Sequence, residues 1–534
     1  MFNPVGRWLV SLGAMPGLVL ILAGSTAGGL ADPILETTAG SFHGVHQGSS
    51  DAFLGIPFAE PPIGDRRWRA PVPAKPWSGV RDFTHFAASC YQAPAVPFGP
   101  FTPEFMTFGP ISEDCLYLNV WTPTSRGKGL PVMVWIHGGG FGGGSGSIPI
   151  YNGARLAAKG AVVVTINYRV GAFGFLAHPD LSRESEVRVS GNYGLLDMIL
   201  ALKWVHDHVA AFGGDPGKVT IAGQSAGAIA VNDLMFSPLA TGLFSRAIAE
   251  SGSGMGVKAV PLAEAEANGE AFARAAWVSS GSTLRALPAE RVLALSKVGP
   301  PAPGEKPRKL IYVPALDHHV LTADPDDPSA GPSSLVPLLT GFNADEGEIF
   351  GRHALTPQEF EDRVRDRYGG AAAGILTAYP HANAQEAAQS ATLLARDRYM
   401  ASLLIWIDGH TRQPGPRIYA YLYEHPFPGS GQEQFGTFHT SEVPYVFGVL
   451  DQGGRPFGAG DRALSDLLSS YWLNFMRTGD PNGPGLAHWG PGVFAEPTVM
   501  GLGDQLGPRP AVSTPGRLAA LRAYVAAGGQ LSLF

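Results

Sequence analysis

The text with the clearest capacity for chemistry is Val219–Ala228, VTIAGQSAGA, where Gly223-Gln224-Ser225-Ala226-Gly227 forms a G-x-S-x-G run. It follows a short β-rich segment and precedes a helix, the setting in which a serine is presented at the tip of a sharp strand-to-helix turn. Such a turn leaves no room for side chains two residues either side of the serine, and glycine at 223 and 227 removes the clash. A second run, His137–Gly146 (HGGGFGGGSG), follows another β-rich segment. A phosphate-cradling loop needs Lys-Ser/Thr after its glycines, and none is present here. The alternative is a loop whose N–H groups approach a reacting carbonyl, so that Gly139, Gly140 and Ala226 act as oxyanion donors. A serine hydroxyl also needs a base and an acid. Of the 15 histidines, His439 lies in a turn, Gly436–Glu442, just before an apolar stretch. His206 and His208 face different ways on a helix, and His318-His319 has no partner at ligand spacing. The acid lies in the segment after Leu338–Asn343, where composition leaves Asp345, Glu346 and Glu348 open.

These residues require a scaffold that brings distant segments together. Leu130–Ile136, Ala161–Asn167, Val219–Ala222 and Leu338–Asn343 are short apolar runs without alternation, as expected of strands covered on both faces. Leu195–Phe212 has helical spacing, with Leu195, Ile199, Leu202 and Val205 on one stripe, and Gly213-Gly214-Asp215-Pro216 stops it. The alternation predicts an α/β fold with a mostly parallel sheet and helices on both faces. Segments 262–300 and 356–415 read as mainly helical, as do Leu464–Met476 and Arg517–Ala527. No linker divides the chain, so residues 32–534 are expected to form one elaborated domain.

Composition narrows the function classes. The chain has 534 residues, 45% hydrophobic and 16% charged, with 70 Gly and a net charge of −7. It can bury a large core, and its acidic balance argues against nucleic acid as a partner. Arg7, the apolar run Trp8–Gly24 and the small residues through Ala31 read as a signal peptide over residues 1–31. The expectation is an exported, periplasmic or secreted protein with no membrane span in its mature chain. In that setting Cys90 and Cys115, the two cysteines, are expected to pair. Between them Phe98, Phe101, Phe105 and Phe108 sit among prolines, in an ordered loop that either overhangs the site or anchors itself on the core.

Taken together these segments resemble the type-B carboxylesterase family, which includes cholinesterases and bacterial para-nitrobenzyl-type esterases. The resemblance is carried by Glu113–Val120 (EDCLYLNV), the HGGGF run, Asn167-Tyr168-Arg169, Gly191–Leu195, Phe212–Pro216 and the serine elbow. It implies the α/β-hydrolase fold and serine esterase chemistry on a small-molecule ester, without metal or cofactor. It also selects Glu346 as the acid beside Ser225 and His439, and matches Cys90–Cys115 to the family's first disulfide. The same triad would serve amides, lactones or bulky natural-product and polymer esters, and relatives that have lost it act as binding proteins. One departure stands out: many relatives carry an acid where this chain has Gln224, which weakens any attraction for cationic alcohols.

Overall fold

The structure, a computed structural model, describes residues 32–296, 311–327, 329–411, 415–492 and 497–532. The expected signal peptide, residues 1–31, lies outside them. Pro33–Phe534 form one compact unit. The apolar runs become neighbours at the centre of an 11-stranded sheet. Its strands are β1 (Val45–Gln47), β2 (Ser50–Pro57), β3 (Tyr117–Pro123), β4 (Leu130–Ile136), β5 (Val162–Ile166), β6 (Gly214–Gln224), β7 (Arg246–Glu250), β8 (Leu338–Asn343), β9 (Ile418–Tyr423), β10 (Thr498–Leu502) and β11 (Gly507–Pro510). Their spatial order is β11-β10-β9-β8-β7-β6-β4-β5-β3-β2-β1. From β10 to β5 every pairing is parallel. The antiparallel pairings lie at the two margins.

The absence of alternation in the sequence has its cause here. On β4, Val132, Val134 and Ile136 enter one apolar core, while Met133 and Trp135 enter a second. Both faces are covered, so no position on the strand can be polar without cost. Helix α1 (Tyr193–His208) covers one face, and Leu195, Ile199, Leu202 and Val205 are buried as the periodicity requires. The helical segment ends earlier than its apolar pattern. Val209–Phe212 tighten into a single 3₁₀ turn, and Gly213 takes φ 86° to reverse the chain into β6. The expected C-terminal helices run over Ala459–Thr478 and Pro515–Ala526. Among the described residues no helix is long and apolar enough to cross a membrane.

Parallel strands put their carboxyl ends on one side. β4 and β6 are neighbours, but the chain leaves β4 toward β5 on one side and leaves β6 toward β7 on the other, which opens a crevice at their carboxyl ends. The loops after β4, β6 and β8 all begin there. Cys90 and Cys115 form a disulfide that closes a 25-residue loop. Within it Phe105 is buried against Phe427 and Phe438, and Phe101 packs edge-on against Phe105 and Phe438. Phe98 and Phe108 remain exposed. The anchoring reading therefore holds for Phe101 and Phe105. Arg455 fastens the same loop, donating from Nε to Glu104 at 2.6 Å while lying 4.7 Å over the Phe427 ring. Replacing both cysteines with serine should lower the unfolding free energy by about 3.5 kcal/mol, the chain-entropy value for a loop of this length. Urea unfolding of the two proteins measures it, and coincident midpoints would mean that ring packing and Arg455 alone hold the loop.

Candidate active site

Ser225 joins β6 to helix α2 (Ala226–Phe236) with φ 58° and ψ −127°, a backbone conformation that L residues seldom adopt. Residues held this way cost about 1–3 kcal/mol and need surroundings that over-determine them. Here the Ser225 N–H donates to the Glu250 carbonyl at 2.9 Å, and its own carbonyl accepts from Ile229 N–H at 3.0 Å. The flanking glycines are sterically compulsory. A Cβ on Gly223 would lie 2.5 Å from the Gly227 carbonyl oxygen, and one on Gly227 would lie 2.0 Å from that of Ile136. The end of β4 and the start of α2 thus touch backbone to backbone.

The glycine loop after β4 presses on the same point. A Cβ on Gly138 would meet the Ser225 Cβ at 3.0 Å. Gly139 and Gly140 take φ 111° and 61°, which turns the chain back over the elbow. The loop is held from beneath by His137, whose ring stacks on Tyr168 at 4.3 Å between centroids. Its Nδ1 lies 2.9 Å from the Gly138 carbonyl, and Tyr168 donates its hydroxyl to the His137 carbonyl at 2.9 Å. Burial pushes the His137 pKa down to about 4, so the ring is a neutral donor through Nδ1. Among the described residues, the N–H groups of Gly139, Gly140 and Ala226 meet no acceptor. Three free amides thus line the loop and the helix start.

The acid segment separates its three candidates. Asp345 accepts from the Thr437 N–H at 2.8 Å and pairs with Arg352 at 2.7 Å. Glu348 accepts from Thr392 at 2.8 Å. Glu346 alone turns inward, accepting from Asn343 N–H at 2.8 Å and from the Ser251 hydroxyl, and its Oε2 meets Nδ1 of His439. The His439 side chain is 12% exposed and that of Glu346 fully buried. Burial lowers the His439 pKa, but the Glu346 carboxylate, helped by Glu442, outweighs it and leaves the ring above its ordinary value. The Ser225 hydroxyl makes no hydrogen bond among the described residues.

Two further carboxyls lie beneath, and sequence reasoning missed them. Glu250 ends β7 and accepts from Trp472 Nε1 at 2.7 Å, and Glu442 accepts from Asn343 Nδ2 at 2.5 Å. The other oxygen of each is buried without a partner. Burial and then Glu346 push Glu442 to about 7, and burial and then Glu442 push Glu250 well up. Each carboxyl is thereby pushed toward its protonated form. The signal for Glu442 was its place three residues after His439; nothing local marks Glu250.

The chain is similar to known proteins along most of its length. The sequence matches the carboxylesterase family over residues 31–510. It is 38% identical over 526 residues to a fumonisin B1 esterase of Sphingopyxis macrogoltabida, covering 94% of this chain and 93% of that protein. It is 36% identical over 459 residues to a para-nitrobenzyl esterase of Bacillus subtilis (strain 168), covering 84% and 90%. A solved PNB esterase structure superposes with a TM-score of 0.76 at 31% identity, over 92% of this chain and 100% of that one.

The close backbone approach gives a direct test. Gly227→Ala should cost at least about 1–3 kcal/mol of stability and most of the esterase activity, because the Ile136 carbonyl must move. Gly374→Ala, in a helix with open space around it, should leave both intact. Thermal unfolding and ester turnover of the two variants check the contrast.

Proposed function

The chain belongs to the carboxylesterase family and is a carboxylic ester hydrolase; from that premise we propose that it works by two-step acyl transfer through Ser225, His439 and Glu346. Ser225 attacks the ester carbonyl carbon as its proton passes to Nε2 of His439. Glu346, on Nδ1, holds the tautomer that leaves Nε2 free to accept and stabilises the imidazolium that forms. The carbonyl oxygen becomes an oxyanion facing the N–H groups of Gly139, Gly140 and Ala226, each donor worth about 2.7–4 kcal/mol at the transition state. The imidazolium protonates the departing alkoxide, and an acyl-serine remains. A water, deprotonated by His439, then releases the carboxylic acid and restores the hydroxyl.

The observation that carries this reading is the buried contact of Glu346 with His439 Nδ1, at the same end of the sheet as Ser225 and the unpaired amides. The α/β-hydrolase scaffold supports it, with serine, acid and histidine following in that chain order. The substrate is a small-molecule ester. The neutral Gln224 beside the nucleophile disfavours a preference for cationic alcohols. The protein is exported by residues 1–31, a reading supported by the Cys90–Cys115 disulfide, which persists in oxidising compartments.

Ser225→Ala should lower kcat by on the order of 10⁶-fold while leaving the fold intact, as for other serine hydrolases. Measured on a p-nitrophenyl ester, a loss under about tenfold would overturn the assignment. The rate should also rise with pH as His439 loses its proton. Because Glu346 and Glu442 hold that proton more tightly than solvent would, the midpoint of kcat/KM should lie above 6.5, the ordinary imidazole value. A midpoint at or below it would remove the carboxylates' role.

A further inference from the structure

Gln224 is buried at the end of β6, with 1% of its surface exposed, and its amide is held at both ends. Nε2 lies 3.1 Å from Nε2 of His439 and 3.4 Å from Nδ1 of the same ring. The two ring nitrogens lie on opposite sides of Cε1, so an atom in the ring plane that contacts one is remote from the other. An atom close to both must sit over the face of the ring. Oε1 of Gln224 accepts from the Thr440 hydroxyl at 3.0 Å, which directs the NH₂ end toward the imidazole. Thr440 itself has φ 82°, a strained conformation for a β-branched residue, and it follows His439 directly. Beneath the glycine loop the amide has little freedom: a Cβ on Gly138 would come within 3.3 Å of Oε1.

We propose that Gln224 is a positioning residue that roofs the His439 imidazole, fixes the plane in which Nε2 meets the serine hydroxyl, and favours the neutral ring. It rests on the assignment of His439 as the base. The face of a neutral imidazole accepts an N–H, whereas that of an imidazolium repels it. The charged groups near the ring are Glu346 on the Nδ1 edge and Glu442 from the following turn, with Glu250 behind Glu442. Glu346 and Glu442 favour the protonated ring. Gln224 is the polar group opposing them, which keeps a base flanked by carboxylates free to accept a proton. Thr440 completes the arrangement by anchoring the far end of the amide.

The test is the pH dependence of kcat/KM for wild type, Gln224→Glu, Gln224→Met and Thr440→Val, with thermal unfolding of each. A carboxylate over the ring should raise the acidic midpoint in Gln224→Glu by about one unit or more. Gln224→Met keeps the ring covered without the N–H, and should also raise the midpoint, by less. Thr440→Val frees Oε1, so kcat should fall by up to about a hundredfold as the ring loses its fixed plane, with KM little changed. A midpoint in Gln224→Glu equal to wild type, in a protein that unfolds at the same temperature, overturns the electrostatic role. Wild-type kcat in Thr440→Val overturns the clamp. If His439→Ala instead retains wild-type activity, the assignment of the base fails and the inference falls with it, a result the other variants cannot mimic.

Discussion

The rest of the site depends on one contact, the approach of the end of β4 to the start of α2 at atomic distance. The Ile136 carbonyl occupies the space where a side chain on residue 227 would stand, and the Gly227 carbonyl occupies the space for one on residue 223. Only under this confinement can Ser225 be held at φ 58° without relaxing. The same confinement seats the glycine loop against the serine, so the strain at Ser225 and the placement of the free amides are one geometric fact. Neighbouring parallel strands make it available: β4 and β6 pair directly, with Ile136 opposite Gly223. No insertion at either carboxyl end could preserve both features.

Electrostatically the site is an imidazole surrounded by carboxyls, which raises the question of why it does not stay protonated. Part of the answer is that two of the carboxyls are themselves pushed toward the neutral form. Glu250 and Glu442 each have one buried oxygen without a hydrogen-bond donor, and burial, then repulsion from a neighbouring carboxyl, raises the pKa of both. Glu346 differs in its contacts: the Asn343 N–H and the Ser251 hydroxyl donate to it besides His439. Environment alone thus separates three buried glutamates, one whose carboxyl is hydrogen-bonded at both oxygens and two that burial and a neighbouring carboxyl push toward the protonated form.

How much of this was legible in sequence follows the range of each interaction. β4 and β8 could be read to the residue because both faces of each are apolar, and the elbow because its glycines are required by contacts along two short segments. The choice among Asp345, Glu346 and Glu348 could not be made locally. Thr437 and Thr392, which only the fold brings near, hold Asp345 and Glu348, and Arg352, seven residues on, also holds Asp345, while Glu346 alone meets His439. β2 was obscured because Ser50 and Asp51 look like loop residues. Asp51 is nonetheless buried, with His46 at 2.6 Å and Arg126 at 3.4 Å. β10 lay within a Gly- and Pro-rich tail whose strand character comes from its parallel partner β9.

The disulfide loop shows how a peripheral segment can bear on the chemistry without touching it. His439 has no regular structure on its N-terminal side, where Gly436 and Thr437 form a loop. What fixes that side is Phe438, buried among Phe101, Phe105 and Phe427 with centroids 5.2–5.7 Å away. Two of those three rings belong to the Cys90–Cys115 loop. On the C-terminal side Thr440 is tied to Gln224, and the short helix Val443–Phe447 begins directly after Glu442. The histidine is therefore held in its loop by an apolar anchor before it and a polar one after it. Edge-to-face ring pairs contribute about 0.5–1.5 kcal/mol each beyond the area they bury. Several of them converging on Phe438 make its position stiff enough that the Glu346 contact can set the ring's orientation rather than compensate for backbone drift.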